Sequence, residues 1–275
     1  MFFIMKSVAI RFIPLLALII SVISCKKDAI TGFYTSSEDM TTHQSFDLII
    51  DDDADESLVF FTGESTISDR GCGTVTYKNT KGTFPNVITI DYGTSCIDVN
   101  GREKKGKIII NITDDLRNQD AVRTITTDNF YIDGVKIEGT RTLTNIGLDK
   151  NGNRCFTRFV DNQKLTFADG RTASWSSNTS LCQTKGVSTK ERLDDEFSIT
   201  GTANGVNRNG KTFSSEITEA LVKRTICPWF VDGVCKISDA VNTVSVDYGD
   251  GTCDKKAIVT LPNGNTKEIL IKKWW

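Results

Sequence analysis

Over most of the chain apolar and polar residues alternate one for one, the period of a strand that buries one face and wets the other. The runs are Thr74–Tyr77, Val87–Asp91, Lys107–Ile112, Val135–Thr144, Phe156–Val160, Lys164–Phe167, Phe197–Thr202, Lys211–Ile217, Thr243–Asp247, Ala257–Leu261 and Glu268–Lys272. The 34 threonines add β-branching, which favours a pleated backbone. Asn-Gly or Asp-Gly pairs begin at 100, 133, 151, 169, 204, 209, 232, 250 and 263, and read in the main as hairpin turns. Only 114–120 and 216–223 read as helical turns. The pattern predicts an all-β antiparallel meander of many short strands, closed into a sandwich or barrel or drawn out as a long twisted sheet.

The alternation is absent at the start. Lys6 and Arg11 precede a continuous apolar run, Phe12 to Ile23, far shorter than the roughly 20 residues of a membrane-spanning helix. A basic start followed by a short apolar run is the pattern of a secretory signal peptide. It ends in Val22-Ile23-Ser24-Cys25, which resembles the bacterial lipobox and implies cleavage before Cys25 and lipidation of that cysteine. Several acyl chains hold a protein stably on a bilayer at about 0.8 kcal/mol per buried methylene. Residues 1–24 are thus expected as a lipoprotein signal peptide and 25–45 as a polar tether. Residues 46–275 are expected as the β-rich body, divisible into halves 46–150 and 151–275. Lys26, not Asp, follows Cys25, which favours the outer membrane.

Within the body, Ile88-Thr-Ile-Asp-Tyr-Gly-Thr-Ser-Cys96 parallels Val244-Ser-Val-Asp-Tyr-Gly-Asp-Gly-Thr-Cys253, an internal repeat in the sequence. Each copy has a cysteine upstream, Cys72 and Cys227. An exported protein meets an oxidising compartment, so disulfides are the expected state. The parallel pairs Cys72 with Cys96 and Cys227 with Cys253; Cys155 with Cys182 is the third candidate, leaving Cys235 as a buried thiol. Zinc sites use closer cysteine pairs than any here.

The two Asp-Tyr-Gly elements resemble, together with Gly139-Thr-Arg-Thr-Leu-Thr-Asn145 and Gly201-Thr-Ala-Asn-Gly-Val-Asn-Arg-Asn-Gly210, a family of Bacteroidota lipoproteins with repeated Asp-Tyr-Gly-x2–3-Cys β elements. The likeness spans roughly 70–272. It implies an organism group and a lipid anchor and brings no catalytic residues; Cys155, Cys182 and Cys235 are not regular members of the family pattern.

Composition narrows the chemistry. The formal charge of the 275 residues is −2, and about −4 without residues 1–24, so no general field for nucleic acid exists. The single histidine, His43, is the one residue of its kind available to a Ser-His-Asp triad and rules out multi-histidine metal sites. The acidic run Asp51-Asp52-Asp53-Ala54-Asp55-Glu56 lacks the glycine and glutamate of an EF-hand loop and reads as a solvated turn more readily than a calcium site. Asp149-Lys150-Asn151-Gly152-Asn153 reads as a hairpin turn. Asp91 and Asp247 could form a glycosidase carboxylate pair, but turn capping explains both, with Tyr92 and Tyr248 packed over the turns. Trp175, Trp229, Trp274 and Trp275 could offer sugar a stacking platform, though core packing suits their number. Lys272-Lys273-Trp274-Trp275 is amphipathic and suits a headgroup, a partner or a last strand.

The expectation is therefore a non-enzymatic, lipid-anchored outer-membrane or cell-surface protein, a binding or structural module without cofactor or metal. Its partners would be the membrane through Cys25 and a glycan or protein at the surface. The rivals are a carbohydrate-active hydrolase using Asp and Glu alone, and a periplasm-facing envelope scaffold.

Overall fold

The computed structural model describes residues 51, 54, 55, 72–99 and 101–271. Cys25, the signal segment, the tether, His43 and Lys272–Trp275 lie outside the described residues. The body is one antiparallel sheet of fourteen strands. These are β1 (Thr74–Tyr77), β2 (Asn86–Asp91), β3 (Cys96–Ile97), β4 (Glu103–Ile112), β5 (Val122–Ile132), β6 (Val135–Leu148), β7 (Arg154–Thr166), β8 (Thr172–Lys185), β9 (Glu196–Val206), β10 (Thr212–Arg224), β11 (Phe230–Ser238), β12 (Thr243–Asp250), β13 (Lys256–Thr260) and β14 (Thr266–Leu270). Each strand pairs with its sequence neighbours, except that β2 pairs with β4 and the two-residue β3 attaches to β4 alone.

One face of this sheet is buried throughout. Ile88 and Ile90 of β2, Ile108 and Ile110 of β4, Ile137 of β6 and Val259 of β13 are all inaccessible, in one continuous core that runs from β2 to β14. Full burial of each such side chain is worth about 1.5–3 kcal/mol. A lone sheet can bury a face only by coiling, which strand twist and bulges allow. Bulges fall at glycines with positive φ, among them Gly106 in β4, Gly139 in β6, Gly201 in β9 and Gly233 in β11. At Gly201 an added Cβ would lie 2.3 Å from the carbonyl oxygen of Asn178 on β8, so only glycine lets the backbones approach there.

Several expectations are corrected. The strands are not uniformly short: β5 to β10 run from 11 to 14 residues. Phe156–Val160 and all but the last residue of Lys164–Phe167 belong to one strand, β7, whose alternation is interrupted by a bulge at Val160/Gln163 where Asn162 has φ 47°. Residues 216–223 are strand, within β10, where three register shifts against β11 imitate helical spacing. Residues 114–120 form turns between β4 and β5. Three of the Gly pairs are not hairpin turns, since Asn204-Gly205, Asp232 with Gly233, and Asp250 lie in β9, β11 and β12.

Disulfides join Cys72 to Cys96, Cys155 to Cys182 and Cys227 to Cys253, and Cys235 is a buried free thiol. Cys155 and Cys182 stand directly opposite on β7 and β8. With separations of 24, 27 and 26 residues, each loop removes about 3 kcal/mol of unfolded-state entropy on the chain-entropy model.

Candidate functional site: a basic cavity on the inner face

The inner face is not apolar along its whole length. Arg123 of β5 faces Leu143 of β6, which faces Arg158 of β7, which faces Thr179 of β8, so two guanidinia lie on one rung of the sheet. Both are buried. On the neighbouring rung buried Arg141 donates from Nε and Nη2 to Oε1 of Gln163, at 3.1 and 3.0 Å. Arg158 Nε donates to Thr179 Oγ1 at 3.2 Å, which fixes the fork in position.

Buried cations are costly unless neutralised. The neutralising groups come from far away in sequence. Asp51 accepts from Arg158 Nη1 at 2.8 Å through one oxygen and from Arg123 Nη2 at 3.3 Å through the other. Asp55 accepts from Arg123 Nη1, its second oxygen lying 3.7 Å from Arg192. Ala54 between them is fully buried in the core. The acidic run is therefore not a solvated turn at these positions: two of its carboxylates are seated on arginines, an arrangement no local pattern displays. Asp52, Asp53 and Glu56 lie outside the described residues. Burial alone would raise the Asp51 pKa, but Arg158, Arg123 and Arg141 outweigh it and hold it below 3.8. Arg123 moves in the opposite sense: burial lowers its pKa, and Asp55 and Asp51 more than restore it.

Beside this clamp is a cavity of about 260 Å³. Its walls are mixed. Phe156, Leu181, Ile199 and Phe197 bring apolar surface from β7, β8 and β9, while seven cationic and five acidic side chains also reach it. At its edge Gln183 accepts from Arg154 Nη1 at 2.9 Å and donates from Nε2 to Asp195 at 2.7 Å. Burial pushes Asp195 up to about 6, against the Gln183 hydrogen bond and with help from the charges of Asp194 and Asp55. Among the described residues, three polar atoms on this face have no hydrogen-bonding partner, Arg123 Nε, Gln163 Nε2 and Ser177 Oγ.

The other sequence candidates fall elsewhere. Asp91 and Asp247 each accept the backbone N–H two residues on, from Gly93 at 2.8 Å and Gly249 at 2.9 Å, and neither lines the cavity. Tyr92 packs on Phe130 with ring centres 5.6 Å apart, and Tyr248 on Phe230 at 5.4 Å; both tyrosines are buried. Beyond these turns the two segments diverge, since Cys96 starts β3 whereas Cys253 falls between β12 and β13. Asp149 accepts from the backbone of Asn151 and Asn153, as a hairpin turn requires. It lies within 4.8 Å of the Cys155 and Cys182 sulfurs, but these are consumed by the disulfide and supply no thiolate. Trp175 is buried, and Trp229 is partly buried with its side chain packed against the core. No protein family, curated protein or solved structure matches this chain.

The arginines of the site were missed by the sequence reading, although a signal for them exists. Arg123 stands in phase with Ile125, Arg158 with Phe156 and Val160, and Arg141 with Ile137, each at an inward position of its strand. A cation in the apolar phase of an alternating run marks an interior polar site.

Proposed function

We propose that this chain is a non-enzymatic binding protein, exported and lipid-anchored through Cys25 at the outer membrane, whose body carries its ligand site in the basic inner-face cavity. The observation that carries the reading is the cavity itself: concave, with apolar walls from β6 to β9 beside charged groups held in fixed positions, as small-molecule sites are built. Three disulfides suit an oxidising compartment, as the signal segment before Cys25 also does. Cell fractionation with protease shaving tests the anchor. The native chain should fractionate with the outer membrane and be clipped on intact cells, and Cys25→Ala should be released in soluble form. A native chain that stays soluble would defeat the lipid anchor, and one protected until the membrane is opened would place the body in the periplasm as an envelope component.

One observation favours a second reading, a hydrolase using carboxyl groups alone. Asp195, held at about 6, is a carboxyl able to donate a proton near neutrality, and Asp55 and Asp115 line the same cavity. Glycan hydrolysis abolished by Asp195→Asn would establish it in place of the binding reading.

A further inference from the structure

The cavity has a built seat for one kind of group. The two oxygens of the Asp51 carboxylate are taken by different arginines, Arg158 at 2.8 Å and Arg123 at 3.3 Å, each positioned by its own strand. The Arg123 side chain is only 3% exposed, yet its Nε has no hydrogen-bonding partner among the described residues. Next to the seat the walls are Leu143, Phe156, Leu181, Phe197 and Ile199, with no further cation required to cover them. Remove Asp51 and Asp55 and the lining keeps all seven cationic side chains against three acidic ones. A cavity of 260 Å³ exceeds the roughly 150 Å³ in which an apolar site accommodates benzene.

We propose that this cavity binds an amphipathic monocarboxylate, its carboxylate held between Arg123 and Arg158 and its acyl or aryl chain against the apolar walls, with Asp51 as a resident stand-in that the ligand displaces. The proposal rests on the reading of the cavity as a ligand site and adds the class of ligand and its internal competitor. A free inorganic anion would use the seat and leave the apolar walls idle; a neutral amphiphile would use the walls and have no charge with which to replace Asp51 on the two guanidinia. An amphipathic monocarboxylate satisfies both halves of the lining.

The rival explanation is a latch in which Asp51 and Asp55 only fasten the preceding segment to the sheet. Calorimetric titration separates the two, using the released Cys25→Ala chain with octanoate as probe and octanol and inorganic phosphate as controls at neutral pH. Octanoate should bind the otherwise native chain, bind the Asp51→Asn, Asp55→Asn variant about tenfold more tightly because the competitor is gone, and lose binding in Arg158→Gln. Octanoate should also raise the melting temperature of the double variant more than that of its parent. If the double variant does not fold, Asp55→Asn alone keeps the seat filled and should tighten octanoate binding by a smaller factor. No heat with octanoate in any folded form, or equal binding of octanol, would overturn the proposal, as would phosphate binding as tightly as octanoate. Those failures with Cys25-dependent membrane anchoring intact would remove the ligand class and leave the anchor reading in place.

Discussion

Several buried charges of this protein are paired with opposite ones, and single substitutions should expose the pairing. Asp98 receives Arg102 Nε at 2.5 Å and Lys104 Nζ at 3.2 Å, and the Lys104 side chain is 1% exposed. Asp98→Ala would take the carboxylate away from that buried ammonium, so a loss of about 3–5 kcal/mol is expected in urea unfolding. Asp195 is the opposite case. Because its folded pKa of about 6 exceeds 3.8, the folded state retains a proton that the unfolded chain gives up, and stability falls as pH rises between those values. Asp195→Asn should therefore stabilise the protein at neutral pH, by roughly 1 kcal/mol after allowing for solvent screening, and change little below pH 3.8. Asp51 has a lowered pKa, so its contribution is complete above 3.8 and is lost on acidification below that value. Melting temperatures across the acid range should show native protein losing stability there and Asp51→Asn losing less. Little of this was legible in the sequence. Acidic Asp51 and basic Arg158 are 107 residues apart, and only the sheet brings them together.

At the scale of the element, what could be read was whatever followed the two-residue period. β2 was visible because Ile88 and Ile90 alternate with threonine and aspartate. β8 was hidden because its inward positions include Ser177, Thr179 and Gln183, which serve the polar part of the inner face and erase the hydrophobic rhythm. β5 was hidden by inward Arg123, and β11 by the bulge at Asp232-Gly233, which imitates a turn. Cysteine spacing was independent of that rhythm, so the presence of disulfides was legible where strands were not. The glycines at bulges carry a prediction of their own. Gly201→Ala forces a Cβ to 2.3 Å from Asn178 oxygen at φ +136°, and should cost about 2–4 kcal/mol, read as a lower urea midpoint. Gly264→Ala is its control, since that site has open space around it and only the strain of φ +82°, so the loss should be nearer 1 kcal/mol.

For the whole molecule, one coiled sheet encloses both the core and the cavity, and no second layer braces it among the described residues. Covalent cross-links therefore bear much of the stability. Replacing Cys155 and Cys182 together by serine should cost about 3 kcal/mol, and reduction of all three bridges should lower the melting temperature further than any one pair. The wiring of the sheet governs how the chain reaches this state. Apart from the β2–β4 step, every strand in the path from β1 to β14 meets the strand next to it in sequence. Contacts form between segments separated by one short loop, so no long loop has to close before pairing begins, and the order of a meander lowers the contact order that slows most all-β folds. Assembly can then proceed as a zipper started at any hairpin and extended one strand at a time. The Arg123 and Arg158 seat, on strands two apart, needs only the pairing of β5 to β7 for its assembly and none of β12 to β14.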